Sequence, residues 1–506
     1  MQREKALLMG VIQRQVIKNN LVAFLAVVIG GLAQIYLYSQ NLELKGFADG
    51  LLKFMLLLGP LVGFGFQFVM IRFLPYLGED KRTGSQRLLT RAMLIVTVNV
   101  LVLSTVNFFL GEQIAGWFLA RGYALGLLET HRWEILLLLS GFAYGVMLTT
   151  HILNFQRIAV PAVFNNLFPK IGLVVIFNLT ITAVFTDAQF TAWLIGLYWL
   201  ITLALGALAW RMGILGVRWG RLRLQDKKMR DLYSLAGFSL FGGIGASLAT
   251  HVDIISINTL VGDLATGVYG FSVFLVGVML IPYRAIGQIC APIVARSWKE
   301  KDMAHLGLLY RDAASALYSC GIVLMVGIAV CLPEVYNFTD NTSKYAPGFI
   351  ATLILGCGQL FNQMTSINDL LITYTNNYRW SVVFVLFLGA ANLLLNYYFI
   401  ATLGLGITGA AMATCLALFL FNLIKLLFLY HRMELLPFSW SMAYVTLFAL
   451  ILVAVFSWLP ATGNPYLTVF LKGSGVVLSF FLFFRYTRLV PVAHRALRDG
   501  VQGVIG

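Results

Sequence analysis

Paired cysteines are missing from this chain. The five present (Cys290, Cys320, Cys331, Cys357, Cys415) all lie in apolar runs without CxxC spacing. That pattern reads as small core residues and argues against a disulfide framework or a thiolate site. Also missing are HExxH, Walker A and GxSxG patterns and any His/Cys set at ligand spacing, so no cofactor, metal or catalytic nucleophile is expected. Charge is scarce as well. Only 11% of the residues are charged, against about 25% in ordinary soluble domains, which leaves no room for a sizeable soluble domain. The net charge of +15 would suit nucleic acid, but its position in loops between apolar runs gives it a simpler source in membrane topology.

What is abundant is apolar sequence, 59% of the chain. Runs of about 20 residues recur along the whole length, each long enough for a hydrocarbon core of about 30 Å. We place about fourteen transmembrane helices at 19–40, 47–77, 92–111, 134–156, 164–185, 190–213, 234–260, 268–297, 315–338, 349–375, 381–403, 408–431, 440–459 and 466–487. The fold class is therefore all-α, a polytopic membrane protein. Leu21 to Leu37 lacks a small-residue cleavage site and reads as a retained first span. Residues before it, with Arg3, Lys5, Arg14 and Lys18 among leucines and valines, read as an amphipathic surface helix.

Alternate loops collect the Lys and Arg, with Lys45, Arg121, Arg132 and Lys344 on the opposite side, so both termini are expected in the cytoplasm. The heaviest loop, Arg218 to Arg230, sits near the middle as a connector, either a topology signal alone or also a lipid-headgroup site. A repeat offset of about 220 residues relates Gly50 to Gly270, Phe54 to Phe274, Gln67 to Gln288, Glu79 to Glu300 and Arg157 to Arg379. This argues for two six-helix lobes related by a pseudo-two-fold along the membrane normal, with two C-terminal helices appended. The expected divisions are an N-lobe at 1–213, a basic connector at 214–233, a C-lobe at 234–431, and helices 13–14 with a basic tail at 432–506.

The most informative stretch runs from His251 to Asp302. His251, Asp253 and Arg284 lie inside its two apolar runs, where a charge costs several kcal/mol unless it faces protein or water. Asp253 precedes the turn Gly267-Val268-Tyr269, and Pro282 and Pro292 follow in the next span. This pattern resembles helices 7 and 8 of lipid-linked oligosaccharide flippases, the polysaccharide-transporter branch of the multidrug/oligosaccharidyl-lipid/polysaccharide exporter superfamily. One departure is Ile254, where that family often has a basic residue. The stretch Asn392 to Ile424, with Gly404, Gly406 and Gly409-Ala410-Ala411, resembles helices 11 and 12 of the same flippases. The small residues there also serve close helix packing. Asn392 and Asn396 share a helix face and suit either interhelical hydrogen bonds or a cation.

The resemblance implies a transporter, not an enzyme, that flips a polyprenyl-pyrophosphate-linked oligosaccharide across the bacterial inner membrane by alternating access, for cell-surface polysaccharide synthesis. Its partners would be that lipid-linked oligosaccharide, membrane lipids and a coupling cation or proton, with no nucleic acid. Arg284 follows Pro282, whose ring marks a bend, and lies too deep to snorkel. With Lys53 and Arg72 it is a candidate cavity cation for pyrophosphate. Asp253, Asp369, Asn392 and Asn396 are candidates for gating or coupling. Lys53 either pairs with Asp253 as a gate or pairs with Asp49 on its own helix and snorkels. Lys170, Lys425 and Lys472 lie near span ends and are expected to snorkel, and His151 is expected to have a packing role. Two other functions compete. One is a cation-coupled multidrug antiporter using Asp253 and Asp369. The other is a membrane-embedded polysaccharide polymerase or ligase, which would need more outer-loop chemistry than Glu112, Glu129, His131 and Arg132 offer.

Overall fold

A computed structural model of the protein describes residues 21–487 apart from 78–79, 120–129, 156, 158, 221, 223–228, 339–341, 366 and 376. The expected lead-in helix, most of the basic loop and the basic tail lie outside the described residues. Among those described there is no β-strand, as a hydrocarbon solvent demands, since a helix satisfies its own backbone polar groups.

The helices run in order as α1 (Leu21–Gln40), α2 (Leu42–Gly63), α3 (Phe66–Phe73), α4 (Lys81–Leu119), α5 (Arg132–Leu153), α6 (Val160–Ile181), α7 (Asp187–Arg211) and α8 (Met229–Leu260). There follow α9 (Asp263–Gly277), α10 (Leu280–Lys299), α11 (Met303–Tyr336), α12 (Thr342–Thr365), α13 (Asn368–Thr373), α14 (Arg379–Thr402), α15 (Gly406–Met433), α16 (Trp440–Trp458) and α17 (Pro465–Thr487). Twelve of these are long and apolar enough to cross a membrane, thirteen spans if the bent pair α9–α10 counts as one. The tenth expected span, 349–375, is instead the broken pair α12–α13. Its Gln359, Asn362, Gln363, Asn368 and Asp369 make it the least apolar of the set.

Contacts divide the chain into two units between Asp263 and Leu264, thirty residues after the boundary at 233–234 that the loop charge suggests. The reason lies in α8, which packs along α2 in the first unit. Small residues (Gly237, Gly242, Gly243, Gly245, Ala246, Ala249) stud its middle and let the two backbones approach. A Cβ on Gly243 would lie 3.1 Å from Pro60, and the Ser247 hydroxyl donates to the Leu56 carbonyl at 3.3 Å. The core of this unit is built from α2, α4, α5, α7 and α8, with Leu51, Met55, Leu139 and Met147 fully buried. In the second unit one cluster gathers Val294, Tyr310, Leu371 and Leu429. Another joins α11 to α16 and α17 through Val326, Val445, Val476 and Phe480.

Two further expected spans are broken. The second, expected unbroken over 47–77, stops at Gly63. Phe64 and Gly65 both adopt left-handed backbone before α3 begins. Only glycine fits at 65: φ is +66°, and a Cβ would lie 2.5 Å from the Ala236 carbonyl oxygen of α8. Gly65→Ala is expected to lower stability by about 2–4 kcal/mol, from left-handed strain plus overpacking. Equilibrium unfolding in detergent measures this, and an unchanged midpoint would show that α3 simply shifts away. The eighth span bends by 42° between α9 and α10, at Val278–Met279 and not at Pro282. Proline has no N–H for the Val278 carbonyl, so Ile281 takes it at 3.1 Å, and the helix restarts upstream of the ring. The repeat offset would carry the Phe64–Gly65 break to about residue 285, so the two breaks fall at different registers.

Of the cysteines, Cys320 and Cys357 are exposed. A small apolar side chain faces hydrocarbon as readily as core, so apolar context alone does not place it inside.

Candidate functional site

In the first unit, the antiparallel register set by Gly65 against Ala236, Pro60 against Gly243 and Leu56 against Ser247 runs on to bring Lys53 opposite His251 and Asp253. Asn41 starts α2 by accepting the Leu44 N–H at 3.0 Å, a standard N-cap. Lys45, Asp49 and Lys53 then recur at i, i+4 and i+8 and share one face. Lys45, nearly buried, pairs with Asp49 and lies 5.2 Å from the Tyr38 ring centroid. One turn on, the Lys53 ammonium feels the carboxylates of Asp49 and Asp253 and is itself a positive neighbour of His251. Asp253 is 6% exposed, and its carboxylate accepts the Ile254 N–H at 2.8 Å.

The expected contest over Lys53 therefore has a third participant, since Asp49 is engaged by Lys45. A double-mutant cycle on Lys53→Ala and Asp253→Ala is expected to give a coupling of about 1 kcal/mol. The swap Lys53→Asp with Asp253→Lys should regain part of the activity that each single change loses. Zero coupling would assign Lys53 to the α2 charge row alone. Arg72 stands apart on α3, past the break, and is exposed. His151 has both ring nitrogens engaged, by Ser85 at 2.9 Å and the Ile214 carbonyl at 3.1 Å. Arg132 contacts Glu112 at 3.4 Å, while Glu129 lies outside the described residues.

In the second unit the polar groups converge on the bend between α9 and α10. Gln363 of α12, fully buried, donates its amide to the Met279 carbonyl at 2.5 Å. Gly321 of α11 leaves room for it, since a Cβ there would overlap the Gln363 amide oxygen. One turn past the bend, the Tyr283 hydroxyl donates to Asp369 Oδ2 at 3.4 Å. Asp369 Oδ1 accepts from Lys425 Nζ at 2.7 Å. Lys425 is 1% exposed, with its ammonium 3.7 Å from the centre of the Phe421 ring, a favourable cation–π placement.

The neighbouring Asn422 stitches the α12–α13 break. Its Oδ1 accepts from Thr365 at 3.1 Å and Asn368 at 3.2 Å, and its amide donates to Asn362 at 3.1 Å. Lys425 is thus no snorkelling anchor. It belongs to a buried network holding α10, α13 and α15 together. Lys472 likewise does not snorkel: it is 8% exposed and 3.8 Å from Glu334. Arg284, next to Tyr283 on α10, is exposed.

Asn392 and Asn396 are both buried and bond each other. The Asn396 amide donates to the Asn392 backbone oxygen at 2.8 Å and to its Oδ1 at 3.0 Å, and Thr414 of α15 adds a contact at 3.4 Å. No group of three His, Cys, Asp or Glu suited to a metal ion occurs among the described residues.

The sequence reading overlooked Asn422, Gln363 and Tyr283, and took Lys425 for an interface anchor. A usable signal was present. Asn422 and Lys425 fall at i and i+3 in an otherwise apolar span, and Asn362, Gln363, Asn368 and Asp369 cluster just where the neighbouring helix breaks.

By sequence, the chain matches no protein-family model and no curated protein. By structure, it is similar to the lipid II flippase MurJ in its inward-closed conformation, with a TM-score of 0.71 at 16% identity over 93% of this chain and 99% of that one. It is also similar to an inward-facing multidrug resistance MATE transporter of the MOP superfamily (0.55, 13% identity, 82% and 94% covered). An outward-facing transporter of that kind gives 0.54 at 11% identity, with 84% and 95% covered. The chain therefore has the fold of multidrug/oligosaccharidyl-lipid/polysaccharide exporters.

Proposed function

We propose that this protein is a membrane transporter that flips a polyprenyl-pyrophosphate-linked oligosaccharide across the bacterial inner membrane, with both termini in the cytoplasm. The observation that carries this reading is the likeness to a lipid II flippase over nearly the full length of both chains, nearer than the likeness to the multidrug transporters. The helix 7–8 and 11–12 patterns in the sequence support it independently. Arg284 and Arg72, both exposed on apolar helices, and Lys53 supply cations for the diphosphate, with Arg284 suited to a bidentate grip. Asp253 beside Lys53 is placed to exchange partners as diphosphate arrives, and alternating access moves the headgroup without breaking a bond. Asp369 is held by Lys425, which leaves it poorly placed as the free carboxylate a multidrug antiporter needs for its coupling cation.

The deciding experiment reconstitutes the protein in liposomes with a fluorescent polyprenyl-pyrophosphate oligosaccharide and follows quencher-accessible fluorescence. Protein-dependent transfer between leaflets is expected. No transfer, together with proton- or sodium-driven movement of a cationic dye, would instead establish the antiporter.

A further inference from the structure

We propose that the charged end of α4 and the segment that follows α7 form a binding site for one anionic phospholipid. After Arg211 the chain turns back at Gly213, where φ is +66°, and lies as a strap without regular structure, 214–219, across α4. The strap is fastened at several points. Gln86 donates to the Ile214 carbonyl at 3.0 Å and His151 contacts the same oxygen. The Arg218 N–H donates to Thr90 Oγ1 at 3.0 Å, and the Arg91 guanidinium donates to the Gly220 carbonyl at 2.9 Å.

Beside the strap runs an apolar groove of 560 Å³, with Leu89, Met93, Leu94 and Thr97 of α4 on one side and Trp210 and Trp219 on the other. From Leu89 to Thr97 it follows α4 for about 12 Å, enough for a stretch of acyl chain. Both tryptophans are mostly exposed, at 71% and 67%, as aromatic residues are where they meet a membrane interface.

The two ends of this groove differ in chemistry. Towards Thr97 it is apolar. At the strap end stand Lys81, Arg82, Arg87, Arg91, Arg211 and Arg218, with Asp80 the one acid in 80–91 and 211–220. The Arg82 and Arg87 side chains lie against the strap, 3.1 Å from a Cβ built on Gly213 and 3.3 Å from one built on Gly220. An apolar channel that opens onto a row of guanidiniums is complementary to a molecule with a hydrocarbon tail and an anionic head. An anionic phospholipid has that layout, whereas a zwitterionic lipid brings its own cation to the arginines, and a soluble phosphate leaves the groove unfilled. The site lies wholly in the first unit and does not depend on the transport reading.

Native mass spectrometry of the full-length protein in detergent tests the site, with phosphatidylglycerol and phosphatidylcholine of identical chains as probes and glycerol 1-phosphate as the headgroup alone. Wild type should retain phosphatidylglycerol in preference to phosphatidylcholine, and excess glycerol 1-phosphate should not displace it. Arg218→Gln should weaken phosphatidylglycerol retention about fivefold, and Arg91→Gln with Arg218→Gln about twenty-five-fold, each charge near a headgroup counting separately. Arg91 also fastens the strap, so Arg218→Gln, which keeps every hydrogen bond described above, is decisive if the double variant unfolds. Equal retention of the two lipids by wild type, displacement by glycerol 1-phosphate, or undiminished retention in Arg218→Gln would overturn the proposal.

Discussion

Asp369→Ala is expected to destabilise the second unit by about 3–5 kcal/mol, the cost of leaving a buried ion without its partner. The size follows from Lys425 rather than from Asp369 itself. The carboxylate side chain is 42% exposed, but the ammonium it holds is 1% exposed. With the partner gone, that ammonium keeps, among the described residues, the Phe421 ring, whose cation–π attraction of about 2 kcal/mol falls short of the cost of an unpaired buried charge. The companion change Lys425→Met should be much milder, because the surviving carboxylate reaches water. The double variant Asp369→Ala with Lys425→Met should recover most of the lost stability. Equilibrium unfolding in detergent, read as a double-mutant cycle, measures the difference. If Asp369→Ala unfolds at the wild-type midpoint, the ammonium has found water and the pair is not a stabilising element. Tyr283→Phe belongs to the same experiment. Its 3.4 Å hydrogen bond to Asp369 is long, so a loss of no more than about 1 kcal/mol is expected.

Arg284→Ala should reduce flipping of the lipid-linked glycan by two orders of magnitude or more while leaving folding intact. The stability half of this expectation rests on exposure: Arg284 is exposed on α10, so its truncation opens no cavity. The transport half rests on the proposed grip on diphosphate, where losing two charge-assisted hydrogen bonds costs about 3 kcal/mol or more. Arg284→Lys should recover only part of the rate, since an ammonium keeps the charge but not the fork. The reconstituted flipping assay measures the rates, and detergent melting serves as the folding control. Wild-type flipping by Arg284→Ala would remove this residue from the mechanism and leave the diphosphate to Lys53 and Arg72.

The helical class and the span order were legible because both follow from local composition. A run of some 20 apolar residues has few alternatives to a membrane helix. The candidate charges were legible for the same reason, a charge in hydrocarbon being costly enough to stand out. Their partners were not legible, because partnership depends on register between helices far apart in the chain. Lys425 shows the difference. Counted from the end of its span it should snorkel, yet α15 turns it toward Asp369, 56 residues earlier.

Breaks within spans fell between these cases. Pro282 announced a bend, but the bend falls upstream of it, where Ile281 takes the Val278 carbonyl that the proline leaves free and Gln363 on α12 donates to the Met279 carbonyl. The break at Phe64–Gly65 depends on how closely α8 passes, which no local pattern around Gly65 encodes.

Sequence by itself thus determined that the chain is a bundle of membrane-length helices carrying a handful of deep charges, since hydrophobicity and charge cost act residue by residue. Only the tertiary structure decided that α8 joins the first unit, that Lys53 of α2 meets the charge of Asp253 on α8, and that Lys425 is a buried partner and not an anchor. Each of these is set by the packing of one helix against another, where a glycine in place of a larger side chain changes which residues meet.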